Sequence, residues 1–362
     1  MPVKIGVVIG TRPEIIKMAP VIRELQNNSA NYFILHTGQH YSYNLDRVFF
    51  EQLRLPSAKY NLEVGSGSHA EQTGKILIGV EKVFQTERPE IVLIEGDTNS
   101  VFAGALAATK LHIAVGHIEA GLRSYDRQMP EEINRILTDH CSDYLFAPTQ
   151  KAKQILLGEG ISEEKIFVTG NTIVDAVYQN LNIAKDMESR LTMLRLAPKE
   201  YFLVTLHRQE NVDNPVRLAS ILQGLDRVAS EFGLPVIYPI HPRARKMMAE
   251  YGIEPRNLNL TEPIDFLSFL QLESNAKLIL TDSGGVQEEA CILKIPCVTL
   301  RDNTERPETL EVGANILAGA SSDKILDCVK LMLSKKNKWK NPFGDGEAGR
   351  RIVKIITGAK HG

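Results

Sequence analysis

The segments Ile91-Val92-Leu93-Ile94-Glu95-Gly96-Asp97 and Ile113-Ala114-Val115-Gly116-His117-Ile118-Glu119-Ala120-Gly121 each read as an apolar strand running into a carboxylate. Pro130-Glu131-Glu132 then opens a helical segment that carries Arg135. In a parallel α/β sheet the carboxyl ends of the strands line one edge, and ligands bind there. Three acids delivered to one rim, Asp97, Glu119 and Glu131, point to proton chemistry on a bound molecule. Helix capping alone would account for Asp97 and Glu131. The glycine-containing corners at Gly96 and Gly121 weigh against that reading, because they let the backbone approach a ligand closely.

Working outward, strand-like runs alternate with helical patterns along the whole chain. Lys4–Ile9, Tyr32–Thr37, Ile91–Ile94, Ile113–His117 and Tyr144–Ala147 form one series. Phe202–Leu206, Val236–Ile240, Leu258–Leu260, Leu278–Thr281 and Cys297–Leu300 form a second. Segments of helical period, such as Glu14–Gln26, Ser100–Lys110 and Ala219–Phe232, lie between them. Near-continuous Val/Ile/Leu strands at this spacing indicate parallel sheets covered on both faces. The expected architecture is therefore α/β, with two Rossmann-like, doubly wound domains. The turn Val168-Thr169-Gly170-Asn171 marks the boundary. It separates an N-terminal domain over 1–169 from a second domain over 170–344.

Composition narrows the function classes. A chain of 362 residues fits two domains better than one. Forty-two Lys and Arg against 44 Asp and Glu give a net charge of -2, so no overall positive field points to nucleic acid. An anionic ligand must then be held by a few placed basic residues. No apolar run reaches the length of a membrane span, and MPVKIGVVIG reads as a strand rather than a signal peptide. The four cysteines, Cys141, Cys291, Cys297 and Cys328, contain no CxxC pair, which favours buried thiols in a reducing cytoplasm over disulfides or zinc.

Two phosphate-handling devices stand out. Strand one ends in Gly10-Thr11-Arg12-Pro13-Glu14, and Pro13 suits the first turn of the helix that follows. That loop aims a helix N-terminus and Arg12 at the rim, with Lys17 further along the same side. In the second half, Thr281-Asp282-Ser283-Gly284-Gly285-Val286-Gln287-Glu288-Glu289 repeats the design. Ser283, Gly284 and Gly285 would cradle a diphosphate with backbone N–H groups and a hydroxyl, and a downstream Glu is placed to reach ribose hydroxyls. His207 and Arg208 follow the strand Phe202–Leu206, and Thr304-Glu305-Arg306-Pro307-Glu308 delivers Arg306 to the same edge. His241, after Val236–Ile240, reads equally well as a packed edge residue. Gly344-Asp345-Gly346-Glu347-Ala348-Gly349 matches GxGxxG, but the basic, turn-rich residues before it form no strand, so it implies no NAD.

Taken in order, Gly10–Glu14, Glu95–Thr98, Gly116–Arg123, Pro130–Arg135, His207-Arg208, Asp282–Glu289 and Thr304–Glu308 closely resemble the non-hydrolysing UDP-N-acetylglucosamine 2-epimerases, over essentially the whole chain. The resemblance implies a GT-B-like fold with the active site in the interdomain cleft and a C-terminal helix over 345–362 that joins the first domain, a homodimer, and no cofactor or metal. It implies reversible conversion of UDP-N-acetylglucosamine to UDP-N-acetylmannosamine. By motif, Arg12, Lys17, Asp97, Glu119, Glu131 and His207 fall in the active-site set. Ser283, Gly284 and Gly285 fall in the UDP phosphate loop, with Glu289 as ribose partner and Arg306 as a further nucleotide contact. Phe269 matches the residue that packs near uracil, and Ile264 would contact the base through its backbone. The pattern departs at Ser42, where many bacterial members carry a second Gln beyond the equivalent of Gln39, in a site where substrate acts as activator. No Arg occurs in 64–70 either.

The chemistry explains the residue types. The C2 hydrogen of the sugar is not next to a carbonyl, so a carboxylate alone cannot remove it. Departure of UDP from C1 gives oxocarbenium-like character that acidifies C2–H. Basic groups and backbone N–H groups stabilise the departing diphosphate. A glycosyltransferase of the same fold, a hydrolysing epimerase and a non-catalytic nucleotide-sugar sensor are the alternatives. The first would need an acceptor site, and the intact acids argue against the last.

Overall fold

The computed structural model describes residues 3–39 and 43–358, so Ser42 and residues 359–362 lie outside it. Two units divide the chain: 1–179 with 343–362, and 180–342. The sequence reading put the boundary at 169/170. In the structure it falls inside the helix Thr172–Ala184. The turn stays with the first unit because Asn171 N–H donates to the Phe343 carbonyl at 2.8 Å and Asp175 accepts from Gly349 N–H at 2.9 Å.

In the first unit the strands are β1 (Lys4–Ile9), β2 (Asn31–His36), β3 (Tyr60–Asn61), β4 (Ile91–Glu95), β5 (Ala114–Ile118), β6 (Tyr144–Ala147) and β7 (Ile166–Val168). Among the described residues they form one sheet in the order β3-β2-β1-β4-β5-β6-β7. The second unit holds β8 (Phe202–Thr205), β9 (Val236–Pro239), β10 (Leu258–Thr261), β11 (Leu278–Thr281), β12 (Cys297–Thr299) and β13 (Asn315–Leu317), in the order β10-β9-β8-β11-β12-β13. Every pairing is parallel. Both orders follow the doubly wound pattern 3-2-1-4-5-6, in which the chain reverses direction across the sheet at one switch point. That point lies between β1 and β4 in the first unit, where Ile5 pairs with Ile91, and between β8 and β11 in the second, where Thr281 pairs with Thr205.

Local chemistry sets the elements. Burial on both faces explains the strands: Ile91 to Ile94 and Leu278 to Thr281 are fully or almost fully buried. Helix starts carry cap residues: Asn214 accepts from Arg217 N–H before Pro215–Phe232, and Asp265 accepts from Ser268 N–H before Phe266–Asn275. Pro215–Phe232 ends at Gly233 with φ 61°, a left-handed stop. The expected helices appear as Arg12–Asn27, Asn99–Lys110 and Pro215–Phe232. The short strands β3 and β13 were not anticipated; at two and three residues they are too brief to show a period. Residues 344–347 form a loop that runs into the helix Ala348–Gly358, with no strand leading into it. All four cysteines are free thiols.

Gly10, at the exit of β1, sits where no side chain fits. A Cβ there would lie 2.0 Å from Ser100 Oγ and 2.4 Å from Thr37 Oγ1. A Cβ on Gly285 meets nothing within 4 Å. Gly10→Ala is therefore expected to cost about 3 kcal/mol by overpacking, and Gly285→Ala to cost almost nothing. Urea denaturation of both variants checks this, and equal midpoints would contradict the steric reading.

Candidate active site

The candidate residues gather at the two switch points. In the first unit the carboxyl end of β1 leads into the helix Arg12–Asn27, with Pro13 in its first turn. The Arg12 guanidinium lies over the Phe49 ring, 5.8 Å from its centre. Lys17 projects from the same helix and its Nζ lies 2.7 Å from Glu119 Oε1 and 3.3 Å from Glu95 Oε1. Glu119 Oε1 also accepts from Asn171 Nδ2 at 2.8 Å. Glu14, one turn before Lys17, accepts from Gly10 N–H at 2.6 Å, from Thr11 Oγ1 at 3.0 Å and from Thr98 Oγ1 at 2.7 Å. It thus ties the loop after β1 to the loop after β4. Burial pushes the Glu14 carboxyl up to about 7, although these donors and the nearby Asp97 also act on it.

Glu119 sits in an unusual backbone state, with φ 68°, and Gly121 follows at φ 82°. A buried network holds this turn. His117 lies 2.6 Å from Asp139 through Nδ1 and 2.9 Å from the Gly96 carbonyl through Nε2. Both ring nitrogens thus face oxygen atoms. Asp139 also accepts from Gly121 N–H at 3.2 Å and pairs with Arg123 at 2.7 Å. Burial raises the Asp139 carboxyl, but His117 and Arg123 outweigh it and hold it below its usual value.

Asp97, beyond β4, pairs with Arg135. The Asp97 carbonyl accepts from Asn134 Nδ2 at 2.9 Å, so the helix Pro130–Cys141 is fastened to this loop twice. Glu132 on that helix is buried and accepts from Ser124 N–H, Ser124 Oγ and Tyr125 N–H, each at 2.9 Å, and from Arg135 at 2.8 Å. Its neighbour Glu131 is exposed in the first turn. The first unit therefore draws Lys17 and Glu119 together, sets Asp97 beside Arg135, and leaves Glu131 at the surface of the same edge.

In the second unit Asp282 is fully buried behind the edge. Its carboxylate accepts from His207 N–H at 3.0 Å, Arg208 N–H at 2.8 Å and Asn211 Nδ2 at 3.2 Å. His207 is thereby fixed at the end of β8 with its ring partly exposed, 6.0 Å from the His241 ring. His241 accepts from Arg243 N–H and caps the helix Pro242–Tyr251; burial, together with His207 and Arg243, pushes its imidazole down. A cavity of about 240 Å³ opens here, lined by His207, Ile264, Phe269, Ser283 and neighbouring apolar side chains. The start of the helix Gly284–Ile292 adjoins it: Ser283 makes no side-chain cap there, a Cβ on Gly285 would meet nothing within 4 Å, and one on Gly284 would lie 3.8 Å from Glu305 Oε2. Exposed N–H groups at such a helix start attract anions. Glu289, on the same helix, is buried beside Glu273. Arg306 is held by the buried Glu288, Nε to Oε1 at 2.8 Å. Arg301 grips Glu305 with two hydrogen bonds, at 2.7 and 2.9 Å, and holds that carboxyl down at about 2.

Several residues at these edges were given no role from the sequence: Glu14, Glu95, Asn171, Asp139 and Asp282. Glu95 and Asp282 are adjacent to predicted site residues in the quoted motifs, and the signal was an acid closing an apolar strand. Asn171 and Asp139 reach the site only through the fold.

Two parallel, doubly wound sheets, one with an apolar cavity at its edge and the other with an acid-lined edge, define a GT-B-like α/β protein. Comparison with known proteins makes this specific. Residues 23–357 match the family model described as UDP-N-acetylglucosamine 2-epimerase. The UDP-N-acetylglucosamine 2-epimerase of Methanocaldococcus jannaschii is 56% identical, covering 99% of this chain and 100% of that one. The enzyme of the same name from Methanococcus maripaludis is 55% identical, covering 99% of each. The crystal structure of the M. jannaschii enzyme in complex with UDP-GlcNAc and UDP superposes with a TM-score of 0.87, covering 98% of this chain and 99% of that one. The chain belongs to the UDP-N-acetylglucosamine 2-epimerase family.

The state of Glu14 gives a stability signature. Burial raises its carboxyl in the fold to about 7, above the ordinary carboxyl value of 4.5. The neutral form is thus favoured in the fold, and its contribution is complete below about pH 4.5 and lost as pH rises through 7. Relative to Glu14→Gln, the wild type should lose about 3 kcal/mol across that window. Denaturant titrations at pH 4.5 and 8 measure the difference, and parallel curves would show that Glu14 ionises freely.

Proposed function

We propose that the protein epimerises UDP-N-acetylglucosamine at C2, giving UDP-N-acetylmannosamine, without hydrolysing the nucleotide bond. What carries the reading is the gathering of His207, Ile264, Phe269 and Ser283 around one cavity at the uncapped start of the Gly284–Ile292 helix. The half-buried apolar faces of Ile264 and Phe269 suit a uracil ring. The bare N–H groups of Gly284 and Gly285, the Ser283 hydroxyl and Arg306 suit a diphosphate, and Glu289 a ribose.

The first unit supplies the sugar chemistry. A carboxylate takes the C2 proton, the C1–O bond breaks, and its electron pair goes to the β-phosphate oxygen, leaving 2-acetamidoglucal and UDP. Re-addition of UDP at C1 with protonation of C2 from the other face completes the inversion. Two faces require two proton-transfer groups, and Asp97 and Glu119 fill these roles, with Glu131 supporting. Arg12, Lys17 and His207 stabilise the charge that builds on the leaving diphosphate. One of the two enters as the carboxylate that accepts the C2 proton and the other as the carboxylic acid that delivers one to the opposite face; Arg135 lies beside Asp97 and Lys17 beside Glu119.

Incubation with UDP-N-acetylglucosamine alone in deuterium oxide, followed by NMR, should yield UDP-N-acetylmannosamine carrying deuterium at C2. Free N-acetylmannosamine would identify a hydrolysing enzyme instead, and no reaction without an added acceptor would favour a transferase. Asp97→Asn and Glu119→Gln should each lose about a hundredfold or more in rate while binding UDP nearly as before.

Gly285→Asp tests the phosphate cradle without disturbing the fold, since its Cβ has room and an acid in the first turn of a helix is favourable. A carboxylate there repels the diphosphate, so calorimetry should show UDP affinity falling by roughly tenfold or more. Unchanged affinity would move the phosphate elsewhere.

A further inference from the structure

Three glutamates are buried around one lysine at the β1/β4 switch point. Glu14 and Glu95 are each 2% exposed and Glu119 is 8% exposed. Ionised together with Lys17 they would bury two uncompensated negative charges, a state that interiors avoid by retaining protons. The donors decide which carboxyl keeps one. Glu119 receives Lys17 and Asn171 at 2.7 and 2.8 Å, so it is best furnished as a carboxylate. Glu14 receives three donors. Glu95 faces the same Lys17 nitrogen at the longer distance of 3.3 Å, which sets its carboxyl beside that of Glu119, and its Oε1 has no hydrogen-bond partner among the described residues.

We infer that Glu95 keeps its proton and donates it to Glu119, which makes Glu95 the positioning residue that holds Glu119 as an ionised base. The charged groups facing Glu95 are Lys17 and Glu14 from the helix Arg12–Asn27 and Glu119 from the turn after β5. The two nearest others are engaged elsewhere: His117 with Asp139 and Asp97 with Arg135. Burial pushes the Glu95 carboxyl well above its usual range, Lys17 acting against the shift and Glu119 and Glu14 with it. A neutral acid beside a carboxylate is a donor, whereas a second carboxylate would repel it. The arrangement also spares Lys17 from being divided between two charges, so it stays with Glu119.

The inference rests on the proposed role of Glu119 for its meaning in catalysis, but not for its test. Infrared difference spectra between wild type and Glu95→Gln at neutral pH should contain the carbonyl stretch of a protonated, buried carboxylic acid. A difference containing only carboxylate bands overturns the proposal, whatever reaction the protein performs. Kinetics then read the consequence. Glu95→Gln retains a neutral donor, so the acid limb of its kcat profile should coincide with that of the wild type. Glu95→Met removes the donor, and its acid limb should move up by about one pH unit, with KM for UDP-N-acetylglucosamine little changed. A downward move of the limb in Glu95→Gln would mean that Glu95 is normally ionised and would overturn the proposal. If Glu119→Gln remains fully active, the proposed base is wrong while the infrared result on Glu95 still stands.

Discussion

Behind several of the strand-end loops lies a buried carboxyl group that accepts backbone N–H groups, and the candidate site depends on these anchors. Asp282 fixes His207 and Arg208, Glu14 fixes Gly10, Asp139 fixes Gly121, and Glu132 fixes Ser124 and Tyr125. A loop at a sheet edge has no ladder to satisfy its N–H groups, and each bond to such an acceptor is worth about 0.5–3 kcal/mol, most where the acceptor is charged. The groups that face outward inherit their direction from these anchors. Glu119 keeps its left-handed backbone because the turn around it is fastened on both sides, at Gly96 through His117 and at Gly121 through Asp139.

The two units share a strand order and differ in the electrostatics of the edge it creates. The second unit offers backbone donors, an apolar cavity and an arginine steadied by Glu288, which together suit a planar ring carrying a diphosphate. The first unit offers acids interleaved with Lys17 and Arg135, an arrangement suited to moving protons. Nothing in the doubly wound architecture requires this division, since fold alone does not fix function. It arises from which residues close each strand: Thr205 and Thr281 ahead of His207 and Asp282 in one unit, Glu95 and Ile118 ahead of Asp97 and Glu119 in the other.

Much of the fold was legible in the chain because its strands are buried on both faces and so read as unbroken apolar runs. The ends of β4, β8 and β11 could be placed to within a residue or so, and with them Asp97, His207 and Ser283. Strands β3 and β13 were illegible because two or three residues carry no period. The unit boundary was set at the Gly170 turn, but that turn is bound to Phe343, a contact made between residues far apart in the chain. The same limit applies within the site. That Lys17 meets Glu95 and Glu119 follows from three elements converging, and Asn171 joins them from a fourth. Glu131 and Glu132 look interchangeable in a helix start, yet one is exposed and the other is an anchor, a choice made by the loop 124–125 that folds over it.

The helix Ala348–Gly358 packs against Arg12–Asn27, burying Ile352, Val353 and Ile356, and Gly349 lets the two approach at Pro20. During synthesis, domains tend to fold in the order in which they emerge. Here the unit that emerges first lacks a piece that emerges after the whole of the other unit has been made. The helix bearing Arg12 and Lys17 thus waits with one flank uncovered while 180–342 is translated. The earliest part of the protein to be built is the last to be finished, and Lys17 belongs to the part that waits.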